Sequence, residues 1–240
     1  MDTLISGITR IDPTILRDAD RMEGFGVAQK ISWASARVTT RIEDIAYCLL
    51  GIFGVHMPML YGEGQHAFIR LQEEIMKTTA DHSIFAWISD TATRQGLLAS
   101  SPAWFRRSGD IVCSRSLAST VDLFSATNKG IHLYLPTENS KARSSCLAIL
   151  DCHYIHNDRT NMSIHLGRIH ERENAFIRIW PDEMEEVDTT TMCTLKKENI
   201  FVKQERLSIA IPLYRKFIVS IQVCKTVHSR FAKRLPLIVG

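Results

Sequence analysis

Cysteine and histidine stand close together at one place in this sequence. Cys152, His153 and His156 lie within five residues, and a thiolate with two imidazole groups can ligate zinc. A closed tetrahedral site needs a fourth ligand, and no spacing in the sequence indicates one. The pattern therefore favours an ordinary strand and turn, and we predict that the protein holds no metal.

Asp81, His82 and Ser83 have the three side-chain types of a hydrolase triad. A triad is assembled in space from separate parts of a chain, so adjacent residues cannot form its geometry unaided. The position favours instead a helix C-terminus, with the His82 imidazole near the last carbonyl groups. We predict no catalytic residue in this cluster.

A glycine-bearing turn, Tyr61–Gly62–Glu63–Gly64, precedes a predicted helix and could present backbone N–H groups to an anion. The carboxylate of Glu63 stands where a phosphate would bind, so we expect the turn to cap itself. Phosphate-binding motifs of the GxxxxGK[ST] or GxGxxG kind do not follow a predicted strand anywhere in the sequence. The sequence therefore predicts no nucleotide cofactor.

Two arginines, Arg37 and Arg41, lie around the predicted start of a helix. The acidic residues Glu43 and Asp44 follow directly. These charges predict a structural salt-bridge network, because paired charge alone is poor evidence for chemistry. Two other interpretations are an electrostatic contact surface for a neighbouring domain and an enzyme site that uses Arg41 and Glu43.

Two further patterns favour structural roles. The acidic stretch from Asp182 to Asp188 predicts a solvated loop, because it lacks the glycine and terminal glutamate of an EF-hand. The tryptophans are dispersed rather than interleaved with basic residues, so they predict partly buried core anchors and no base-stacking platform. They are Trp33, Trp87, Trp104 and Trp180.

Two helices within residues 31–87 must position most of these side chains. The first is predicted from Thr40, which has capping-box spacing to Glu43, to Phe53, with Gly54 as its C-cap. Its apolar stripe has helical period. The stripe consists of Ile42, Ile45, Ala46, Leu49, Leu50 and Phe53.

The second helix is predicted from near Gly64, with a buried stripe of its own. That stripe consists of Ala67, Phe68, Leu71, Ile75 and Met76. The loop between the two helices is apolar yet rich in glycine and proline. We expect it to be pinned against the domain by Met57, Leu60 and Tyr61.

Beyond residue 97, period-two patterns and short apolar runs replace helical spacing. The residues Asn128–Lys129–Gly130 are of types favoured in turns, and a clear strand is predicted after them. Pro136 is predicted to lie at the end of that strand. The fold predicted is α+β: a helical segment, residues 1–95, packed on a C-terminal antiparallel β-sandwich or barrel-like domain, residues 96–240. The candidate strands are Ile111–Ser114, Ile131–Leu135, Cys146–Cys152, Ser163–Arg168, Ala175–Ile179, Asn199–Val202, Leu207–Ile211 and Phe217–Val223.

Composition is that of an ordinary globular protein. Of 240 residues, 45% are hydrophobic and 23% charged, and the net charge of +3 indicates no nucleic-acid footprint. The six cysteines form no CxxC pair, and a reducing setting with free thiols is the default expectation without a signal-peptide pattern. No signal-peptide pattern and no run of 18 apolar residues appears, so we predict a cytoplasmic protein without a membrane span.

One long segment of the sequence forms a motif that is highly specific for one protein family. SWASARVTTRIEDIAYCLLGIFGVHMPMLYGEG, followed by AFIRLQEEI and DHSIFAW, resembles the fungal heterokaryon incompatibility (HET) domain proteins just after their HET domain. GLLASSP and ATNKGIHLYLP resemble the β-rich region that follows, so the resemblance covers residues 5–155. The motifs of the HET domain itself do not appear, namely tyrosine–tryptophan–glycine, aspartate–cysteine and tryptophan–glutamate. No catalytic, cofactor-binding or metal-binding residue is therefore carried over.

The resemblance implies a non-catalytic scaffold or regulatory portion of a protein of non-self recognition and programmed cell death, a form of fungal innate immunity. It implies a partner, either an upstream HET domain or another protein. We expect self-association through an apolar patch around Trp33, Met57, Met59 and Leu60. Two alternatives stay open: an enzyme fragment, for example a nucleotide-cleaving one completed by that HET domain, and a β-sandwich binding module. A pocket lined by Arg41, Glu43, Asp44 and Glu63 would favour the enzyme.

Overall fold

Helices form the first part of the chain and strands the second. The computed structural model describes residues 2–11, 13–90, 96–114, 124–139, 144–169 and 174–204. Three 3-10 helices accompany the α-helices of the first part, at Ala19–Gly24, His82–Phe85 and Pro102–Phe105. The α-helices there are α1 (Asp2–Thr9), α2 (Pro13–Arg17), α3 (Val27–Ser32), α4 (Asp44–Tyr47), α5 (Leu50–Phe53) and α6 (His66–Met76).

The single helix predicted from Thr40 to Phe53 is wrong, because this segment forms α4 and α5. Cys48 donates its thiol to the Ile45 carbonyl at 3.1 Å, while the Leu49 N–H bonds to Ala46 three residues back. The helical ladder is interrupted there. Gly54 ends α5 in the left-handed conformation, with φ of 62°, as predicted.

The capping box predicted for Thr40 and Glu43 is also absent. Glu43 precedes α4 with no side-chain cap bond, because its carboxylate accepts from distant backbone groups. The chain from Thr40 to Glu43 is therefore not helical. Of the predicted stripe, Ala46 and Leu49 are buried, whereas Ile42 is exposed.

The prediction for α6 is confirmed, since all five residues of its expected stripe are buried. A buried polar residue, Gln72, lies on the same face. Its side-chain amide donates to the Ala99 carbonyl at 2.7 Å and accepts from the Ala99 N–H at 3.1 Å. Both ends of the amide are therefore satisfied, and α6 is fixed to the segment that leads into the sheets.

The second part of the chain contains nine strands among its described residues, together with a short helix, α7 (Thr189–Thr194). The strand predicted over Cys146–Cys152 is two strands, and Leu207–Ile211 and Phe217–Val223 lie outside the described residues. The strands are β1 (Ile111–Cys113), β2 (Ser125–Thr127), β3 (Gly130–Asn139), β4 (Ser145–Ile149), β5 (Cys152–Tyr154), β6 (Thr160–Arg168), β7 (Ala175–Arg178), β8 (Glu185–Asp188) and β9 (Lys197–Val202).

Five strands close into a ring in the order β3-β4-β6-β7-β9, and β9 pairs again with β3. The fold is therefore α+β with a barrel-like C-terminal region. Most pairs are antiparallel, but β7 and β9 are parallel. This departs from the predicted antiparallel sheet, and β8 and α7 supply the long connection that a parallel pair requires.

Pro136 was predicted at the end of a strand, but it lies inside β3, so this prediction is wrong. Up to Pro136 the strand pairs with β9, and from Thr137 onwards it pairs with β4. Proline has no N–H to donate to a ladder. It is accommodated here because this is the point where β3 changes its partner.

One continuous hydrophobic core joins the helices to the ring. Leu49 and Leu71 from the helical part share it with Leu133 and Ile164 from the strands. The helical segment therefore packs on the barrel-like region as expected, while the domain boundary near residue 96 stays a prediction. No helix within the described ranges is long and apolar enough to cross a bilayer.

Candidate interaction site

The loop over residues 56–64, which joins α5 to α6, is held in place by the Glu43 carboxylate. Its Oε1 accepts from the N–H of Gly62 at 2.8 Å and from the N–H of Gly64 at 3.0 Å. The N–H groups of Glu43 itself, Gly64 and Gly62 lower the pKa of the Glu43 carboxyl, because they hydrogen-bond to its charged form. This residue is therefore a clamp on the loop and does not cap a helix.

A second carboxylate holds the other side of the loop. Glu63 pairs with Arg70 of α6 at 2.5 Å and accepts from the Tyr47 hydroxyl at 3.2 Å. Arg70 also donates to the Pro58 carbonyl at 2.8 Å. The hydrogen bond that Arg70 donates to the Glu63 carboxylate raises the pKa of the Arg70 guanidinium, because it stabilises the charged form.

Tyr61 at the end of the loop is fixed by contacts on three sides. Its hydroxyl donates to Asp44 at 3.0 Å, its ring lies 5.7 Å edge-on from the Tyr47 ring, and Arg41 lies 4.8 Å from its ring centre. The hydrogen bond to Asp44 raises the pKa of the Tyr61 hydroxyl, because only the neutral, protonated hydroxyl can donate this bond. Hydrogen bonds and aromatic contacts therefore hold the end of the loop around Tyr61.

The tip of this loop exposes its apolar side chains. Met59 is 60% exposed, Leu60 53% and Tyr61 54%, and Ile42 beside Gly64 is 48% exposed. We call these four residues the loop patch. Neighbouring exposed apolar groups mark interaction sites on many monomers.

The predicted patch is half right. Met59 and Leu60 are exposed as expected, but Met57 packs against the core and Trp33 is half-buried, with its ring 5.5 Å from that of Phe25. The expected pinning of the loop is right for Met57, which packs on the core, and for Tyr61, whose side chain contacts Asp44 and Tyr47. It is wrong for the Leu60 side chain, which is exposed. Only the Leu60 carbonyl is held, by the Tyr47 hydroxyl at 2.7 Å.

The charged residues predicted to form a salt-bridge network are arranged differently. Arg41 contacts an aromatic ring, Glu43 binds backbone N–H groups, and the ion pair of this region joins Glu63 to Arg70. Arg37 is exposed and lines a separate pocket. The charges surround one loop and hold it, which supports a structural role.

Asp81, His82 and Ser83 lie at the start of a 3-10 helix, so the predicted helix C-terminus is wrong. Asp81 accepts from the N–H groups of Ser83 at 2.8 Å and of Val27 at 2.7 Å. Ser83 accepts from the Ala28 N–H at 3.0 Å, and His82 Nδ1 accepts from a backbone N–H at 3.1 Å. Asp81 and Ser83 therefore cap the start of α3, whereas His82 holds the backbone at Asp151, between β4 and β5.

Cys152, His153 and His156 also point to different partners. Cys152 is fully buried, and this burial raises the pKa of its thiol well above the ordinary 9.0. His153 Nδ1 lies 3.0 Å from the Ser114 hydroxyl, and the His156 ring stacks on Tyr154 at 5.4 Å. Among the described residues no three His, Cys, Asp or Glu side chains are grouped as a metal site would need.

The acidic stretch from Asp182 to Asp188 is not the solvated loop that was predicted. Its second half is β8, which pairs with β6. Glu185 lies 3.3 Å from the buried His165, and Asp188 accepts from the Thr190 N–H to cap α7. The nearby His165 imidazole lowers the pKa of the Glu185 carboxyl, because it stabilises the charged form.

A cleft of about 650 Å³ brings together two of the candidate residues, Asp81 and His153, beside Lys30. Burial lowers the pKa of the Lys30 ammonium, although the charges of Asp81 and Glu23 act against this shift. Because the Asp81 carboxylate already accepts hydrogen bonds from backbone N–H groups, it is not available as a general base. None of Arg41, Glu43, Asp44 and Glu63 lines this cleft.

The sequence prediction missed the most buried charge among the described residues. Arg178 on β7 is 1% exposed, and its guanidinium donates to the carbonyls of Phe85 at 3.0 Å and Trp87 at 2.6 Å. Trp87 and Trp104 are core anchors as predicted. The alternation in Phe-Ile-Arg-Ile was the available signal, because it places Arg178 on the face of the buried Phe176.

Two comparisons relate part of this chain to known proteins. The family described as "Domain of unknown function (DUF8212)" matches residues 66–131, from the start of α6 to the start of β3. The second match belongs to the class of fungal vegetative incompatibility proteins. It is "Vegetative incompatibility protein HET-E-1" of Podospora anserina, which is 42% identical over 78 residues.

That match covers 32% of this chain but only 6% of the Podospora protein. It supports a relation to fungal heterokaryon incompatibility over a partial segment. No solved structure matches the chain.

Proposed function

We propose that this chain is a non-catalytic scaffold or regulatory portion of a cytoplasmic fungal incompatibility protein, acting in non-self recognition and regulated cell death. The observation that carries the proposal is the loop over residues 56–64. Its carboxylates are used to hold the loop, and the apolar side chains at its tip are exposed.

The first step concerns chemistry. A general base needs a lone pair within reach of a substrate proton. Glu43 accepts from two backbone N–H groups and is buried, and Glu63 is shared between Arg70 and Tyr47. These bonds support a structural role for both carboxylates over an enzyme site.

The second step concerns the partner. Loop tips are normally polar, and an exposed apolar tip on a loop held by the polar and aromatic contacts described above favours a rigid docking surface. The resemblance to proteins with an adjoining HET domain favours that domain as the occupant. The loop patch would then be buried at the contact between the two.

A binding experiment tests this partner. A recombinant HET domain from a protein of the resembled kind is titrated with the purified chain, and binding is followed by calorimetry. The double variant Met59→Asp, Leu60→Asp should lose binding, whereas Ile155→Asp, at an exposed apolar side chain outside the loop, should retain it. Equal binding by all three proteins would overturn the docking role of the loop.

The enzyme alternative is tested on the same material. The chain is incubated with NAD or ATP, and product formation is measured by chromatography. We expect no turnover. Nucleotide cleavage that Glu63→Gln abolishes would establish the enzyme and refute the scaffold.

Self-association is measured by light scattering over a concentration series. The wild-type chain should form larger species as its concentration rises, and the double variant should stay monomeric. A wild-type monomer at every concentration would show that the loop patch does not drive self-association.

A further inference from the structure

A second concave site lies between residues 9–11, at the C-terminal end of α1, and the segment that follows α3. Its volume is about 380 Å³, within the range of roughly 300–1,000 Å³ that is typical of small-molecule sites. Trp33, Leu49 and Ile52 give it an apolar lining. The pocket is separate from the loop patch and from the cleft at Lys30.

The charged residues that line this pocket, among those the structure describes, have one sign. Arg10 and Arg37 contribute guanidinium groups, and none of the described lining residues is a carboxylate. The cleft at Lys30 differs, because Glu23 and Asp81 line it together with the ammonium group. The smaller pocket therefore offers positive charge above an apolar surface.

The backbone at Arg10 is held in an unusual conformation. Its φ of 62° is in the left-handed region, which residues other than glycine seldom adopt. The Arg10 N–H bonds to the Ser6 carbonyl at 2.7 Å, and the Ser6 hydroxyl donates to the Ile11 carbonyl at 2.7 Å. Strained residues that persist in this way cluster at ligand clamps and active sites.

The Arg10 side chain is also directed towards the segment opposite. Its Nη1 donates to the Ser35 hydroxyl at 3.3 Å, across 25 residues of sequence. The Ser35 hydroxyl is neutral, and no carboxylate of the described residues forms an ion pair with Arg10, whose guanidinium fork matches a carboxylate. The residues after α1 are thus fixed so that Arg10 lines the same pocket as Arg37.

We propose that this pocket binds a small organic carboxylate with an aromatic or aliphatic body. The carboxylate accepts hydrogen bonds from Arg10 and Arg37 at the exposed side, and the body packs on Trp33 and Ile52. This ligand satisfies both features of the lining, because its charge is paired and its apolar surface is buried.

The test uses 3-phenylpropionate as the probe, with the neutral 3-phenylpropanol and inorganic phosphate as comparisons, titrated into the full chain by calorimetry. We expect the acid to bind and the two comparison molecules to bind at least about tenfold more weakly. Equal binding of the alcohol would show that charge is not recognised. Equal binding of phosphate would show that the apolar surface is not used. Either result, or no binding of the acid, overturns the proposal.

Variants locate the site. Arg10→Gln and Arg37→Gln should each weaken binding of the acid about tenfold, the effect of losing one charge-assisted hydrogen bond. Arg107→Gln, an exposed arginine outside the pocket, should leave the affinity unchanged. Ala36→Phe should fill the pocket and abolish binding without loss of thermal stability, since Ala36 is exposed.

An NMR measurement tests whether the ligand binds in this pocket. The indole N–H signal of Trp33, assigned with Trp33→Phe, should shift on addition of 3-phenylpropionate in a ¹H–¹⁵N NMR spectrum. The signal of the core residue Trp87 should not move. Shifts of Trp87 without Trp33, or unchanged affinity in both arginine variants, would overturn the assignment.

Discussion

The guanidinium carbon of Arg178 lies 3.6 Å from the centre of the Trp87 indole ring, and both side chains are fully buried. Arg178 belongs to β7 of the ring of strands, whereas Trp87 follows the 3-10 helix His82–Phe85. The same guanidinium binds two carbonyl groups of that segment. This contact therefore fixes the helical part of the chain to the barrel-like region. Burial lowers the pKa of the Arg178 guanidinium, which is the cost of placing this charge in the core.

Arg178→Ala should lower the free energy of unfolding by about 3 kcal/mol or more, as measured by urea denaturation. The Trp87 carbonyl would lose the Arg178 donor, at roughly 1–3 kcal/mol, the Phe85 carbonyl would keep only the Trp87 N–H, and a cavity would remain. Arg168→Ala is the matched control, because its guanidinium lies 4.6 Å from the Phe176 ring at a more exposed site. It should cost less than about 1 kcal/mol. Equal losses would contradict the role given to Arg178.

Leu49→Asp should unfold the α4–α5 region, because it places an unpaired charge at a fully buried position of the core. The expected loss is on the order of 3–5 kcal/mol, with a lower melting temperature and a weaker helical circular dichroism signal. Ile42→Asp lies in the same predicted stripe but at an exposed position, and it should change stability by about 0.5 kcal/mol or less. A Leu49→Asp protein with unchanged melting would contradict the burial of this stripe.

Glu43→Gln should destabilise the chain at neutral pH and lose this effect in acid. The folded pKa of the Glu43 carboxyl lies below its ordinary 4.5. The folded state therefore binds fewer protons than the unfolded state between the folded pKa and 4.5, and stability falls as the pH drops through that window. Denaturation midpoints of the wild type and the variant, measured from pH 7 downwards, should converge below pH 4.5.

Glu73 provides a control of opposite sign. Burial raises the pKa of its carboxyl above 4.5, so its folded state retains a proton that the unfolded state has lost. The wild type should therefore lose stability relative to Glu73→Gln as the pH rises from 4.5. If the stability difference between wild type and variant changed with pH in the same direction for Glu43→Gln and Glu73→Gln, the clamp formed by Glu43 would be refuted.

Gly130→Ala should disturb closure of the ring where β3 begins. Gly130 has φ of 120°, and an added Cβ would lie 2.5 Å from the Val202 carbonyl oxygen of β9. We expect a loss of about 1–3 kcal/mol from backbone strain, or more with the clash. Gly51→Ala, exposed in α5 with nothing near its added Cβ, should instead gain about 0.5 kcal/mol. Thermal denaturation of both variants checks this difference.

Local patterns predicted much of this fold. The burial of α6 follows from apolar side chains at helical spacing, and β3 follows from alternation after the Asn128–Lys129–Gly130 turn. Gly54 was identified as a helix end because its backbone conformation is a property of the residue itself. These features depend on neighbours in sequence, which the amino-acid order displays directly.

The loop clamp could not be predicted in this way. Thr40 and Glu43 have the spacing of a capping box, but Glu43 binds Gly62 and Gly64, 19 and 21 residues away. Both arrangements satisfy backbone N–H groups with the same carboxylate. The tertiary structure decides between them, because it brings the loop to the carboxylate.

The sequence by itself determined the apolar stripes, the turns and the α+β class, since each depends on residue type and short spacing. Only the tertiary structure decided what the polar residues do. Asp81 bonds to Val27 across 54 residues, and Arg178 bonds to Phe85 across 93. A buried polar group must find a hydrogen-bond partner, but that partner can lie anywhere in the chain. For this reason two of the three adjacent residues of triad type, Asp81 and Ser83, cap a helix, and an arginine within a strand pattern forms the contact between the two parts of the protein.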